Sequence, residues 1–331
     1  MNCVEVVRGG LVEARHPVHA VVTDAHGGIV ASVGQAELRT FYRSAAKPLQ
    51  ALPLVEEGVA DRFGFTDAEL ALCCASHESE PPHVEGARSI LAKAGLDESV
   101  LRCGPHAPFA PAEAQALVIR GEKPRPIHNN CSGKHAGMAA LAVAMGWDPA
   151  DYHLREHPVQ RRMLAEVVRW SGLSEDEIDV GVDGCGVTCF GLTLRDMAVS
   201  FARFAVAAGQ GEPAQRIVHA MTGHPFMVAG TGRVCTEAMT EAAGRAFLKL
   251  GAEGLYCGGV PERGLGFAVK IEDGARRAVD AAVIRVLEGL GVLGADEVAR
   301  LKHHANPPVH NTLGEVVGEV RAEFHLEVPG V

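Results

Sequence analysis

The chain has no surplus of positive charge. Its 41 acidic residues outnumber its 31 Lys and Arg, for a net charge of −10 at pH 7. No run of basic residues offsets that balance, which excludes binding to a phosphate backbone, since such binding needs a basic face. Long apolar runs are also missing. No stretch approaches the ~18 uninterrupted apolar residues of a membrane span, so no membrane insertion is expected. The opening Met-Asn-Cys-Val-Glu-Val-Val-Arg-Gly-Gly lacks a basic segment followed by an apolar one. No secretory signal and a cytoplasmic location are therefore expected. A disulfide framework is not expected either. The nine cysteines (3, 73, 74, 103, 131, 185, 189, 235 and 257) are odd in number, and the cytosol is reducing.

What remains describes a globular protein. Hydrophobic residues make up 47% and charged residues 22% of 331 positions, which excludes a disordered chain. At ~100–200 residues per domain, the length suits one large domain or two intimate ones. We read 1–331 as a single catalytic unit with no linker, no internal repeat and no low-complexity tract.

Strand signals lie at the two ends. His19–Asp24 and Gly28–Val33 flank a three-residue turn and predict a hairpin. Residues 265–272 and 313–327 also read as strand. Helical spacing fills the middle, at 49–55, 84–94, 112–120, 133–145, 158–170, 192–208, 214–221 and 234–250. Further helices are predicted at 275–290 and 296–304. Thr66/Glu69 and Ser174/Glu177 are capping-box pairs. The pattern predicts an α/β (α+β) fold. Strands from about 1–40 and 253–331 form its sheet, and about 60–250 form a mainly helical insertion.

Five segments carry chemistry. In Arg43-Ser-Ala-Ala-Lys47-Pro48, a serine and a lysine three apart at a helix start share a face. A lysine amine with a lowered pKa can there take the serine proton. Cys74-Ala-Ser76-His77 leaves an apolar helix with a second hydroxyl. Asn130-Cys131-Ser-Gly-Lys134-His135 runs into an Ala-rich helix, whose N-terminus is expected to make Cys131 more thiolate-like than an ordinary cysteine. Its glycine spacing is not that of a phosphate-binding loop. Asp183-Gly184-Cys185 follows a strand. Cys131 and Cys185, each in a glycine-bearing turn, can share one zinc, with His135 as third ligand or as a supporting group. Lys270-Ile-Glu-Asp-Gly274 places a lysine at a strand end. The Gly230-Thr231 pair reads as a tight turn. His303, His304 and His310 are not at H-E-x-x-H spacing, so a zincin is not supported.

Taken together and in this order, these five segments resemble the Rhizobium etli-type L-asparaginases, the asparaginase II family. Arg8-Gly-Gly-Leu-Val-Glu13 and His310-Asn311-Thr312 resemble it too, so the likeness spans nearly the whole chain. The resemblance implies a fold like that of serine β-lactamases and glutaminases. It implies two serine–lysine tandems, Ser44 with Lys47 and Ser76 with Lys270. It implies zinc held by Cys131, Lys134 and Cys185, and a homodimer. Arg43, His77, Asn130, His135, Asp183 and Gly184 are expected to support the site or bind substrate. The stretch after Asp183-Gly-Cys185 departs from the family in its glycine and Cys189.

The activity this implies is hydrolysis of L-asparagine to L-aspartate and ammonia. Ser44 would be the nucleophile and Lys47 its base, with zinc positioning substrate rather than generating a nucleophile. The alternatives are a glutaminase or another amidase on the same scaffold, or a non-catalytic zinc-dependent amino-acid-binding protein. The last has no need of two serine–lysine pairs.

Overall fold

A computed structural model describes residues 2–211 and 213–328. The fold is mixed α/β and divides into two compact units. The first is drawn from the chain up to Ala45, from Leu192–Val206 and from Glu237 onwards. The second comprises Ala46–Gly191 and Ala207–Thr236.

The first unit is built on an eight-stranded sheet. Its order runs Pro308–His310, Val316–Glu323, Cys3–Arg8, Leu11–Asp24, Leu265–Ile271, Leu255–Val260, Phe247–Leu250, with Ile29–Val33 also pairing with Leu11–Asp24. The pairings described are antiparallel. The Leu11–Asp24 strand joins the two halves of the sheet. Its first half pairs with Cys3–Arg8, and its second half pairs with Leu265–Ile271. Strands from both ends of the sequence therefore form one sheet, as expected. Helix Arg276–Gly289 covers it through an apolar face that includes Val279, Val283, Val286 and Leu287, all buried.

Three expected helices are corrected here. The helix predicted over 234–250 ends at Ala242. Ala243 and Gly244 then take left-handed backbone, at φ 49° and 85°, which stops a helix. Phe247–Leu250 instead pairs with Leu255–Val260 as a strand. The helix predicted from Leu192 begins at Leu194. Thr193 Oγ1 accepts the backbone N–H of Asp196 at 3.1 Å, an N-cap that fixes the start. The apolar run 49–55 is likewise two short helices, Lys47–Ala51 and Pro53–Glu56.

The second unit is helical. The predicted Thr66/Glu69 capping box is formed in full and opens the helix Asp67–Cys73. The helix Ser132–Met145 is buried continuously from Ser132 to Ala142. It owes that position to small residues one turn apart. A Cβ on Gly133 would stand 2.4 Å from the carbonyl oxygen of Leu72, and one on Gly137 2.8 Å from Cys73 Sγ. Only glycine lets these two helices touch along that line. A hairpin of Asp179–Val182 and Thr188–Thr193 completes the elements that matter below.

Among the described residues, no helix is long and apolar enough to cross a membrane.

Candidate active site

The close approach of Gly133 to Leu72 sets the start of the long helix against the exit of Asp67–Cys73. Lys47 lies at the start of its own helix and is buried. Its amine donates to the Ala75 carbonyl, to Ser76 Oγ at 3.0 Å and to Cys131 Sγ at 3.1 Å. Ser76 is pinned in turn, its backbone N–H donating to Val228 O at 2.9 Å. The segments around Lys47, Ser76 and Cys131 thus meet at one buried amine.

Cys131 caps the helix Ser132–Met145. Asn129 Oδ1 accepts its backbone N–H at 2.8 Å, while Asn129 Nδ2 donates to Cys103 O and Gly104 O at 2.7 and 3.0 Å. One turn on, Lys134 Nζ donates to Cys185 Sγ at 3.0 Å. Cys185 reaches this point from a tight turn. Asp183 O accepts from Gly186 N at 2.8 Å, and Asp183 Oδ1 accepts from Gly184 N at 2.7 Å.

The Cys131 and Cys185 side chains act on each other's protonation in opposite directions. Donating to Cys185, together with burial, pushes the Cys131 thiol up to about 12. Accepting that hydrogen bond, with the Lys134 ammonium beside it, brings Cys185 down to about 5. The pair is biased towards a proton on Cys131 and negative charge on Cys185. Lys134, despite burial, is held protonated by the two sulfurs.

His77 and His135 line the same region. His77 Nδ1 accepts the Ser79 N–H at 3.1 Å, so in the neutral ring Nε2 carries the proton and donates to Ser132 Oγ at 3.0 Å. His77 also stacks on His83, with ring centroids 5.0 Å apart. His135 Nδ1 meets Tyr152 OH at 2.7 Å. Its Nε2 is buried without a partner. Burial, and then the Lys134 charge, drive its pKa well down, so the ring is neutral. Asn130 takes His106 Nε2 as acceptor for its backbone N–H at 2.9 Å.

Arg43, Ser44 and Lys270 belong to the sheet unit. Ser44 sits in the 3-10 turn Arg43–Ala46, and Arg43 holds left-handed backbone at φ 48°. Lys270, on the strand Leu265–Ile271, donates to the Ile271 carbonyl and to Glu272 O at 3.4 Å. Desolvation lowers its pKa. The two acids that follow it are held by histidines, Glu272 by His19 at 2.9 Å and Asp273 by His16 at 2.7 Å. Cys189 lies in the Thr188–Thr193 strand opposite Gly181.

Sequence reading missed Asn129, His106, Tyr152, His16 and His19. Asn129 adjoins a motif residue and carries a side chain that favours local backbone hydrogen bonds, so it was within reach. Nothing in the local spacing marks the other four.

The sequence model of the L-asparaginase II family matches residues 4–322. No curated protein matches the sequence. Among solved structures, a β-lactamase from Mycobacterium bovis aligns with a TM-score of 0.44 at 16% identity, over 83% of this chain and 95% of that one. A putative β-lactamase from Bacteroides dorei aligns at 0.39 and 13%, over 77% and 85%. A protein called Mglu aligns at 0.36 and 16%, over 85% of this chain and 62% of its own.

Proposed function

Since the chain belongs to the L-asparaginase II family of amidohydrolases, we propose that it hydrolyses L-asparagine to L-aspartate and ammonia by serine–lysine catalysis. The observation that carries this reading is the buried Lys47 amine at 3.0 Å from Ser76 Oγ. A lysine desolvated beside a hydroxyl has little use in a stable core and is a working arrangement for moving a proton.

Ser44 attacks the side-chain amide carbon, and Lys47, three residues on, receives its proton. The tetrahedral oxyanion is stabilised by backbone N–H donors. The nitrogen takes a proton from a lysine and leaves as ammonia. Water then attacks the acyl-serine, the proton returns, and L-aspartate departs. Ser76, held by Lys47, and Lys270 carry the relay.

Cys131, Lys134 and Cys185 fit a zinc ion in donor chemistry. Two sulfurs and an amine already lie together, and zinc would take them as thiolates and a neutral amine, releasing the protons they carry to solvent. When bound, zinc supplies a fixed positive charge that orders both glycine-bearing turns and positions the polar end of the substrate. Tyr152 and Asp183 then steady His135 and the Cys185 turn.

The test is ammonia release from L-asparagine and L-glutamine at matched concentrations, with wild type and Ser44→Ala. Turnover of L-asparagine that is lost in Ser44→Ala supports the reading. Wild-type turnover by Ser44→Ala sinks the nucleophile, and preference for L-glutamine sinks the substrate. One methylene separates the two by only ~1–3 kcal/mol in a pocket of fixed shape.

A further inference from the structure

His303 and His304 have no part in the reaction above. They occupy consecutive positions in the single-turn helix Lys302–Ala305, and Glu237 reaches them from the helix Val234–Ala242. His303 Nε2 lies 2.7 Å and His304 Nε2 3.1 Å from the same carboxylate oxygen, Glu237 Oε2. The two rings lie against each other with centroids 4.2 Å apart.

The acids on either side are engaged differently. Glu241 takes Arg300 at 2.7 and 2.9 Å, and Glu297 takes Arg245 at 2.6 Å. Those are arginine–carboxylate pairs of the ordinary surface kind. Glu237 instead gathers two imidazole nitrogens on one oxygen. Hydrogen bonds satisfy that arrangement only when both rings adopt the Nε2–H tautomer. A metal ion satisfies it with the nitrogen lone pairs. Metal–nitrogen and metal–oxygen bonds of ~2.0–2.2 Å place neighbouring ligand atoms about 3 Å apart, which is the separation seen here. The three ligand atoms all lie within 4.8 Å of one another.

We propose that Glu237, His303 and His304 form a binding site for a divalent transition-metal ion. Two imidazoles and one carboxylate suit zinc, cobalt or nickel, whereas calcium and magnesium select oxygen ligands. His304 is buried and fixes the inner side of the site. His303 is exposed on a groove of about 840 Å³ that also includes Lys302, Asn306 and Arg321. The remaining coordination positions open to water on that side. The ion would clamp the Lys302–Ala305 turn to the helix that carries Glu237. Adjacent histidines with a distant glutamate match no linear metal motif, so the site exists only in the folded chain.

The test uses the full-length chain carrying Cys131→Ser and Cys185→Ser, which removes the thiols of the other donor set. After chelator treatment it is titrated with Co²⁺, followed by calorimetry and visible absorption. One equivalent is expected, with d–d bands and no near-ultraviolet thiolate charge transfer. Adding His303→Ala, or separately Glu237→Gln, is expected to weaken binding at least ~100-fold. The proposal is overturned by absence of saturable binding in the double-serine chain. Binding that survives both further substitutions also overturns it. Should the double-serine chain lack a cooperative melting transition, wild type and His303→Ala are titrated side by side. A difference of one equivalent then supports the site, and equal stoichiometry overturns it. Neither outcome depends on asparagine hydrolysis.

Discussion

The amine of Lys47 stands 3.0 Å from the hydroxyl of Ser76, although 28 residues of chain separate the two. Sequence spacing paired Lys47 with Ser44 and resemblance paired Ser76 with Lys270. The contact between Lys47 and Ser76 links one member of each tandem. Lys47→Met keeps most of the side-chain bulk and removes the amine. It is expected to lower kcat for ammonia release ~10²–10⁴-fold, the usual worth of a positioned acid or base. Ser76→Ala, which removes a relay group and leaves the nucleophile, is expected to cost less than Ser44→Ala. Steady-state kinetics on the three variants gives the order, and equal kcat for Lys47→Met and wild type would remove Lys47 from the mechanism.

Zinc content separates the cysteines. Cys131→Ser and Cys185→Ser are each expected to hold one equivalent less zinc than wild type after dialysis, measured by atomic emission. Cys189→Ser is expected to match wild type, because Cys189 belongs to the strand opposite Gly181 and not to the turn that presents Cys185. Zinc loss in Cys189→Ser alone would reverse that assignment.

Gly133→Ala tests the helix contact that builds the site. Its new methyl would meet the Leu72 carbonyl at 2.4 Å, and a backbone atom cannot swing aside as a side chain does. A destabilisation of ~1–3 kcal/mol is expected from overpacking, read by denaturant unfolding. Because Leu72 leads directly into Cys73–Ser76, kcat should fall as well. A variant as stable and active as wild type would show the contact to be looser than described.

Acid sensitivity is expected from Glu5. In the sheet it stands directly opposite Arg15 on one neighbouring strand and Arg321 on the other. The Arg321 hydrogen bond, helped by Arg15, holds its carboxyl below the ordinary value. A depressed folded-state pKa means stability that is fully present above the unfolded glutamate value of ~4.3 and is lost as pH falls through the lower folded value. Melting temperatures measured from pH 6 to pH 3 should drop less steeply for Glu5→Gln than for wild type. Parallel curves would show that the pair contributes nothing.

Much of this was legible in advance because it is local. The capping box formed in full where Thr66/Glu69 placed it, and at Ser174/Glu177 the Glu177 carboxylate takes the Ser174 backbone N–H at 2.9 Å, since a cap is a contact across three residues. The helices Pro81–Lys93, Ser132–Met145, Pro158–Ser171 and Arg276–Gly289 follow from apolar periodicity alone. Phe247–Leu250 was misread because four residues fit either period. Its neighbours decided it, by offering the Leu255–Val260 edge.

The sequence by itself determined which residue types stand in which turns, and with them the family and its amide chemistry. Only the tertiary structure decided the partners. It put Lys134 against Cys185 across 51 residues and Lys47 against Cys131 across 84. It biased the Cys131/Cys185 pair towards charge on Cys185, and gathered Glu237 with two histidines more than sixty residues away. The physical reason is common to all of these. A protonation state or a ligand set depends on distances of about 3 Å between side chains, and chain closure over long loops leaves no mark in the local spacing of residues.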